Sequence, residues 1–254
     1  MKMRKNAAKQ KMLGGEPALG VSAALTSPWS AEILSNSGYD WVLMDTQHGF
    51  WSPDAIRTAV LAILRGSAAP VARVAINDYT LIGRLLDDGL MGIIVPLVNS
   101  RAEAEAAAAA VRYPPRGSRS NAGSPITALY GSDYFDQVDD ELFLAVQIES
   151  VEAVEDADEI FAVEGVDGCW IGPSDLALSM GLKVSDMGVH PAHNEAVAHV
   201  LEMCQKHGKI PGYACGTMEM GKRRIAEGFK FVNIGTDAGF VTDSAAAYVA
   251  ELRS

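Results

Sequence analysis

The sequence predicts a single α/β domain folded as a (β/α)8 TIM barrel. Eight short apolar runs recur along the chain, with a helix-like stretch after each. The runs are continuous rather than alternating, as parallel strands buried on both faces require. Eight such alternations in about 250 residues is the count of a closed barrel. A doubly wound open sheet is the competing architecture. It needs a glycine-rich phosphate loop after its first strand, and Gly14, Gly15 and Gly20 do not have that spacing.

In chain order the strand candidates are Ala18–Leu25, Trp41–Met44, Val71–Ala75, Gly92–Val95, Leu142–Ile148, Val166–Ile171, Ile210–Ala214 and Phe229–Ile234. The helix candidates are Pro28–Ser37, Asp54–Arg65, Tyr79–Asp88, Arg101–Arg112, Ser150–Val163, Asn194–His207, Thr217–Glu227 and Ser244–Arg253. Gly38, Gly66, Gly89, Gly208 and Gly228 stand at helix ends, where a left-handed residue is favoured. The stretch from Tyr113 to Asp140 reads as one long irregular loop, a lid or a subunit contact. Residues 1–13 read as a short, solvated basic arm, and residues 14–254 as the barrel.

The chain of 254 residues carries a formal net charge of −11. Five basic residues, Lys2, Arg4, Lys5, Lys9 and Lys11, fall in the arm, so removing them leaves −16. That balance argues against nucleic acid or an anionic membrane as partner. No apolar run approaches the ~20 residues of a membrane span. Cys169, Cys204 and Cys215 have neither metal-ligand nor redox spacing, and an odd count suggests reduced thiols in cytoplasm.

In a barrel, catalytic groups stand just past the C-terminal ends of strands. Glu149 follows the fifth run, and Asp175 follows the sixth by four residues, within Gly172-Pro173-Ser174-Asp175. Neighbouring parallel strands lie roughly 4.8 Å apart, so the two carboxylates share a small volume. With no Lys or Arg beside them they call for a proton or a hard divalent cation. Oxygen ligands favour Mg2+ or Mn2+, with Co2+ tolerated, over structural Zn2+. Either acid alone would suit a helix N-terminus, and Ser174 an ordinary N-cap. Gln147 shares the strand face of Glu149.

Arg73 ends a strand otherwise made of Val and Ala, so it either pairs with an acid of a neighbouring strand or clamps a substrate oxygen. His48, of five histidines, alone sits at a strand end. It lies beside Asp45, which could fix its tautomer and raise its basicity as a general base needs. His190, His193, His199 and His207 read as surface residues of the later helix. Asp87 and Asp88 close a helix against its dipole, so one of them either has a specific partner or lies in a solvated turn. No lysine lies between Lys11 and Lys183, and none of the others falls at a catalytic strand end, which favours metal-stabilised enolate chemistry over an imine.

These blocks form a recognisable series. Asp45–Gly49 (DTQHG), Val95–Ser100 (VPLVNS), Arg112–Arg119 (RYPPRGSR), Val146–Ser150 (VQIES) and Glu164–Gly181 (EGVDGCWIGPSDLALSMG) resemble the HpcH/HpaI aldolases, class II pyruvate aldolases. The resemblance spans about Leu19 to Val241. It implies a barrel assembled as a hexamer with a terminal helix exchanged between subunits. It implies a divalent metal on Glu149 and Asp175, with Gln147 and the backbone of Gly172, Pro173 and Ser174 contacting the pyruvate carboxylate. It further implies Arg73 on the enolate oxygen, and His48 as base supported by Asp87. The reaction implied is cleavage of a 4-hydroxy-2-oxo acid to pyruvate and an aldehyde. Acyl-CoA lyases of the citrate lyase β and malyl-CoA lyase type, and a non-catalytic binding barrel, are the alternatives. Gln47 stands where many members have Glu, Gly49-Phe50-Trp51 where they have a small Ala after the His, and Ser174 where several have Ala.

Overall fold

A computed structural model of the chain describes residues 2–254. Its eight strands are β1 (Ala18–Ser22), β2 (Trp41–Asp45), β3 (Ala69–Arg73), β4 (Gly92–Val95), β5 (Phe143–Ile148), β6 (Gly168–Ile171), β7 (Gly212–Cys215) and β8 (Phe231–Thr236). Each pairs in parallel with the next and β8 pairs with β1, closing the barrel. The helices are α1 (Ala7–Leu13), α2 (Pro28–Ser35), α3 (Pro53–Ile63), α4 (Tyr79–Asp87), α5 (Arg101–Val111), α6 (Ser124–Tyr130), α7 (Tyr134–Glu141), α8 (Val151–Glu155), α9 (Ala157–Phe161), α10 (Pro173–Ser179), α11 (Pro191–Lys206), α12 (Met218–Glu227) and α13 (Asp237–Arg253). None is long and apolar enough to cross a membrane. The barrel expected from the sequence is the one observed.

Local chemistry starts these helices where they start. Ser27, Ser52, Asp78, Ser100, Ser150, Thr217 and Thr236 each accept a backbone N–H from the first turn of α2, α3, α4, α5, α8, α12 and α13. At the N-terminal end of the barrel the interior is filled by stacked aromatics. Trp41 and Phe231 lie 4.0 Å apart between centroids, and Phe143 lies 4.8 Å from Phe231. Gly20 on β1 makes this possible, because a Cβ there would overlap the Trp41 ring.

The residues expected to form a solvated arm instead form α1, folded against that same end. Lys9 Nζ donates to the carbonyl of Leu142 at 2.7 Å and lies 2.9 Å from Asp167. Asn6 donates to the carbonyls of Met91 and Glu141, each at 3.0 Å. Met3, Asn6, Ala8, Lys9 and Met12 are buried. The basic residues of the arm thus answer orphan carbonyls and acids at the strand starts, which its charge alone could not reveal.

Other boundaries shift for local reasons. The stretch read as a loop from Tyr113 to Asp140 contains α6 and α7, which bury Ile126, Tyr130, Tyr134 and Val138. The single helix expected over Ser150–Val163 is two short helices, α8 and α9, broken at Asp156. The last helix begins at Asp237, seven residues before the expected start. The carboxylate of Asp237 accepts from the amides of Ala24 (2.7 Å) and Leu25 (3.1 Å), joining the two ends of the barrel cycle.

Candidate active site

The C-terminal ends of β2, β3, β5 and β6 bring together most of the side chains singled out in the sequence. Glu149 and Gln147 project from β5 and are 3% and 1% exposed. Two hydrogen bonds orient Glu149: Gln147 Nε2 donates to Oε2, and the Leu97 amide donates to Oε1 at 2.9 Å. Leu97 has φ 52°, in the left-handed region that costs a side-chain-bearing residue roughly 1–2 kcal/mol. The turn after β4 is thus held in a strained form that aims an N–H at the carboxylate.

Gly172 closes the other side. A Cβ there would stand 2.7 Å from Glu149 Oε2 and 2.8 Å from Gln147 Nε2. Pro173 and Ser174 follow, and Asp175 lies in the first turn of α10, exposed at the mouth. Burial pushes the Glu149 carboxyl above its ordinary value, and the charge of Asp175 pushes it further. The Leu97 amide, Arg73 and Gln147 act in the opposite direction without cancelling this. Asp175 is thus close enough for its charge to bear on Glu149.

Arg73 ends β3 directly beside Asp45, which ends β2. Its Nε donates to Asp45 Oδ1 at 3.0 Å and its second terminal nitrogen to Oδ2, a two-pronged pair that fixes the guanidinium plane. The plane lies 5.5 Å from the Trp170 ring centroid. Burial alone would raise Asp45, but Arg73 and the amides of Gln47 and His48 hold it below the usual carboxylate range. Of the two readings of Arg73, the pair with a neighbouring strand's acid is the one observed, and its charge also favours the carboxylate form of Glu149.

His48 stands exposed on the loop after β2, its amide donating to Asp45 Oδ1 at 3.3 Å. Asp45 is engaged by Arg73 and by backbone amides, not by the His48 ring. The carboxylate of Asp87 is held by Arg119 at 3.1 Å and not by His48. Arg119, on the segment after α5, is 2% exposed, bonds the Tyr134 hydroxyl at 3.2 Å and stacks on Tyr113. Arg116 is the exposed member of that pair and faces Asp140.

The donors around Glu149 suit a hard divalent cation. Gln147 Oε1 is buried with no hydrogen-bond partner beside a carboxylate whose ionisation is opposed by burial and by Asp175. Carboxylate and amide oxygens are the donors that Mg2+ or Mn2+ prefers. Among the described residues no three His, Cys, Asp or Glu side chains cluster as a closed metal cage. Two carboxylates leave coordination positions for a chelating substrate.

Sequence reasoning missed Trp170, Leu97 and His193. Trp170 pairs in register with Gln147, and its Nε1 is a buried donor without a partner. The alternation of β6 could have placed it inside the barrel. His193 is fully buried, not on the surface, and bonds the Pro173 carbonyl at 3.0 Å. It opens the buried stripe His193, Val197, Val200 and Cys204, a helical spacing legible in the sequence.

Comparison with known proteins places this chain in a family. The HpcH/HpaI aldolase/citrate lyase family profile matches residues 19–244. A 5-keto-4-deoxy-D-glucarate aldolase of Shigella dysenteriae is 38% identical over 239 residues, covering 92% of this chain and 91% of the relative. The crystal structure of an HpcH/HpaI aldolase/citrate lyase family protein from Burkholderia cenocepacia J2315 superposes with a TM-score of 0.91 at 29% identity, covering 98% of this chain and all of that one. An HpcH/HpaI aldolase from Desulfitobacterium hafniense DCB-2 gives 0.89 at 26% identity, over 97% of this chain and 96% of its own. The chain belongs to the HpcH/HpaI aldolase/citrate lyase family and is an enzyme, a carbon–carbon lyase.

Proposed function

We propose that the chain cleaves 4-hydroxy-2-oxo acids reversibly to pyruvate and an aldehyde at the mouth formed by β2, β3, β5 and β6. The observation that carries this is the buried Glu149 carboxylate, which feels the charge of Asp175 and is flanked by the partnerless Oε1 of Gln147. Glu149 and Asp175 would hold Mg2+ or Mn2+, with Co2+ as a substitute. Bound there, the cation supplies a Lewis acid for the 2-oxo group and its adjoining carboxylate.

The side chains of the protein do the rest. Gln147 and the backbone of Gly172, Pro173 and Ser174 take the carboxylate end of the oxo acid. His48, on the rim, takes the proton of the C4 hydroxyl. The C3–C4 bond breaks, the aldehyde leaves, and its electron pair passes into the enolate of pyruvate. Arg73, locked by Asp45, faces the negative charge that develops on the enolate oxygen. Protonation at C3 then gives pyruvate. Asp87 acts in this scheme through Arg119, steadying the segment after α5. The Shigella relative acts, by its name, on a keto-deoxy sugar acid, and the same substrate class is proposed for this chain. The test is a set of hydroxy-oxo acids coupled to pyruvate detection: release that chelator abolishes and Mn2+ restores supports the proposal, and release indifferent to chelator refutes it.

We also propose a homo-oligomer, a hexamer by the family resemblance. In one chain α13 buries only Asp237, leaving Phe240, Val241, Tyr248, Val249 and Leu252 exposed. An apolar helix without a partner favours a second copy as its cover. Light scattering that finds a monomer at micromolar concentration would refute this. A cytoplasmic location is proposed with it.

A further inference from the structure

Among the described residues His193 is the one fully buried histidine, and the scheme above does not use it. Its surroundings are specific. Nδ1 accepts the amide N–H of Gly188 at 3.3 Å, so the ring proton is on Nε2, which donates to the Pro173 carbonyl at 3.0 Å. The imidazole therefore joins two segments. One is the Gly172–Asp175 turn. The other is the loop around Met187 and Gly188, whose Met187 Sδ lies 3.6 Å from Ser174 Oγ. Gly188 is gripped from its other side too, where Arg223 donates to its carbonyl at 2.9 Å.

We infer that His193 is the positioning residue for the Gly172–Asp175 turn, and that its Nε2–H···O=C bond to Pro173 sets where Asp175 meets the metal. The inference rests on the reading of Asp175 as a metal ligand. Pro173 has no N–H of its own and begins a helix of only seven residues. Few intrahelical bonds restrain so short a helix, so its first turn depends on outside contacts for its orientation. Neutral imidazole suits this task. Burial opposes its protonation, and Arg224 and His190 oppose it as well. Protonation would also place a second donor against the Gly188 N–H. Substitution of groups that orient metal ligands typically costs about 10–100-fold in metal affinity.

The test separates the two bonds. In His193→Gln the side-chain amide nitrogen reproduces the Nε2 donor to Pro173. In His193→Asn the side-chain oxygen reproduces the Nδ1 acceptor for Gly188 and the Pro173 bond is lost. Mn2+ affinity is read by electron paramagnetic resonance, beside the melting temperature and KM and kcat for pyruvate α-proton exchange. Expected is a loss of about tenfold or more in Mn2+ affinity for His193→Asn, with recovery toward wild type in His193→Gln, although both lower the melting temperature. Equal affinities in both variants, or losses that simply follow the melting temperature, overturn the inference. Imidazole 15N shifts of the wild-type protein give a second check that needs no variant: a proton on Nε2 at neutral pH is required, and a proton on Nδ1 overturns it. Glu149→Gln is the control for the metal reading. If wild type and Glu149→Gln bind Mn2+ alike, the metal reading falls and the inference with it. If only Glu149→Gln loses binding while both His193 variants keep it, the inference alone falls.

Discussion

The amide of Leu97, from a backbone turned to φ 52°, donates to Oε1 of Glu149 at 2.9 Å. A strained residue on one strand end thus fixes the carboxylate on the next. The Leu97 side chain is half exposed, so the N–H rather than the side chain is the functional group. Leu97→Gly should keep exchange activity within about twofold, because glycine takes this conformation freely. Leu97→Pro, which removes the N–H and cannot adopt a positive φ, should abolish it. Steady-state rates with matched circular dichroism spectra check this. A large loss in Leu97→Gly would show that the side chain, not the amide, matters.

Glu149 leads to a pH prediction. Its carboxyl is raised in the folded protein, chiefly by burial. The native state then holds this proton more tightly than the unfolded chain, whose Glu titrates near about 4.3. Between those two values metal-free stability falls as pH rises, and the penalty is complete above the raised value. Glu149→Gln removes the penalty while keeping an acceptor for Leu97. In chelator its melting temperature should exceed wild type by more at pH 7.5 than at pH 4.5. Mn2+ affinity of the wild type should climb through the same window, since the cation displaces the proton. A gain of equal size at both pH values would contradict the account.

Gly172 carries no strain, with φ −92°, yet has no room for a side chain. The Cβ of Gly172→Ala would press on Glu149 Oε2 and Gln147 Nε2. The expected outcome is a folded protein whose Mn2+ affinity falls about tenfold or more, as for other changes that misplace metal ligands. Calorimetric titration checks this, and unchanged affinity would mean that the carboxylate is not held where it is needed.

Asp87 and Arg119 form a pair in which the arginine is buried and the acid half-buried. Asp87→Asn strands a buried guanidinium, and loss of one partner from a buried pair costs about 3–5 kcal/mol, reduced here by the partial exposure of Asp87. Arg119→Met should cost less, because methionine leaves no buried charge. Urea denaturation of both variants orders them. If Asp87→Asn leaves stability intact but removes the pH dependence of turnover, Asp87 serves His48 instead of Arg119.

The barrel was legible because buried parallel strands leave continuous apolar runs, and the caps at Ser27, Ser52, Asp78 and Ser100 mark helix starts. Glu149, Asp175, Arg73 and Asp45 could be singled out as candidates because strand ends share one face of the barrel. Contacts between segments distant in sequence were not. Arm residue Lys9 finds Asp167, loop residue Arg119 finds Asp87, and a helical histidine finds Pro173. Each of these polar groups is buried only because its partner arrives from elsewhere. A local reading assigns such residues to solvent. The positive φ of Leu97 leaves no mark in a residue type that seldom adopts it.

Glu149 and Asp175 are proposed to hold a divalent cation that lets this chain form the enolate of pyruvate. Exchange of the pyruvate methyl protons in D2O, followed by proton NMR, measures that step without any aldehyde. The account predicts exchange that needs Mg2+ or Mn2+, stops with chelator, and falls at least about 100-fold in Glu149→Gln, Asp175→Asn and Arg73→Met, the scale of losing an electrostatic catalytic group. Exchange that persists in chelator, or that survives in Glu149→Gln, would contradict it.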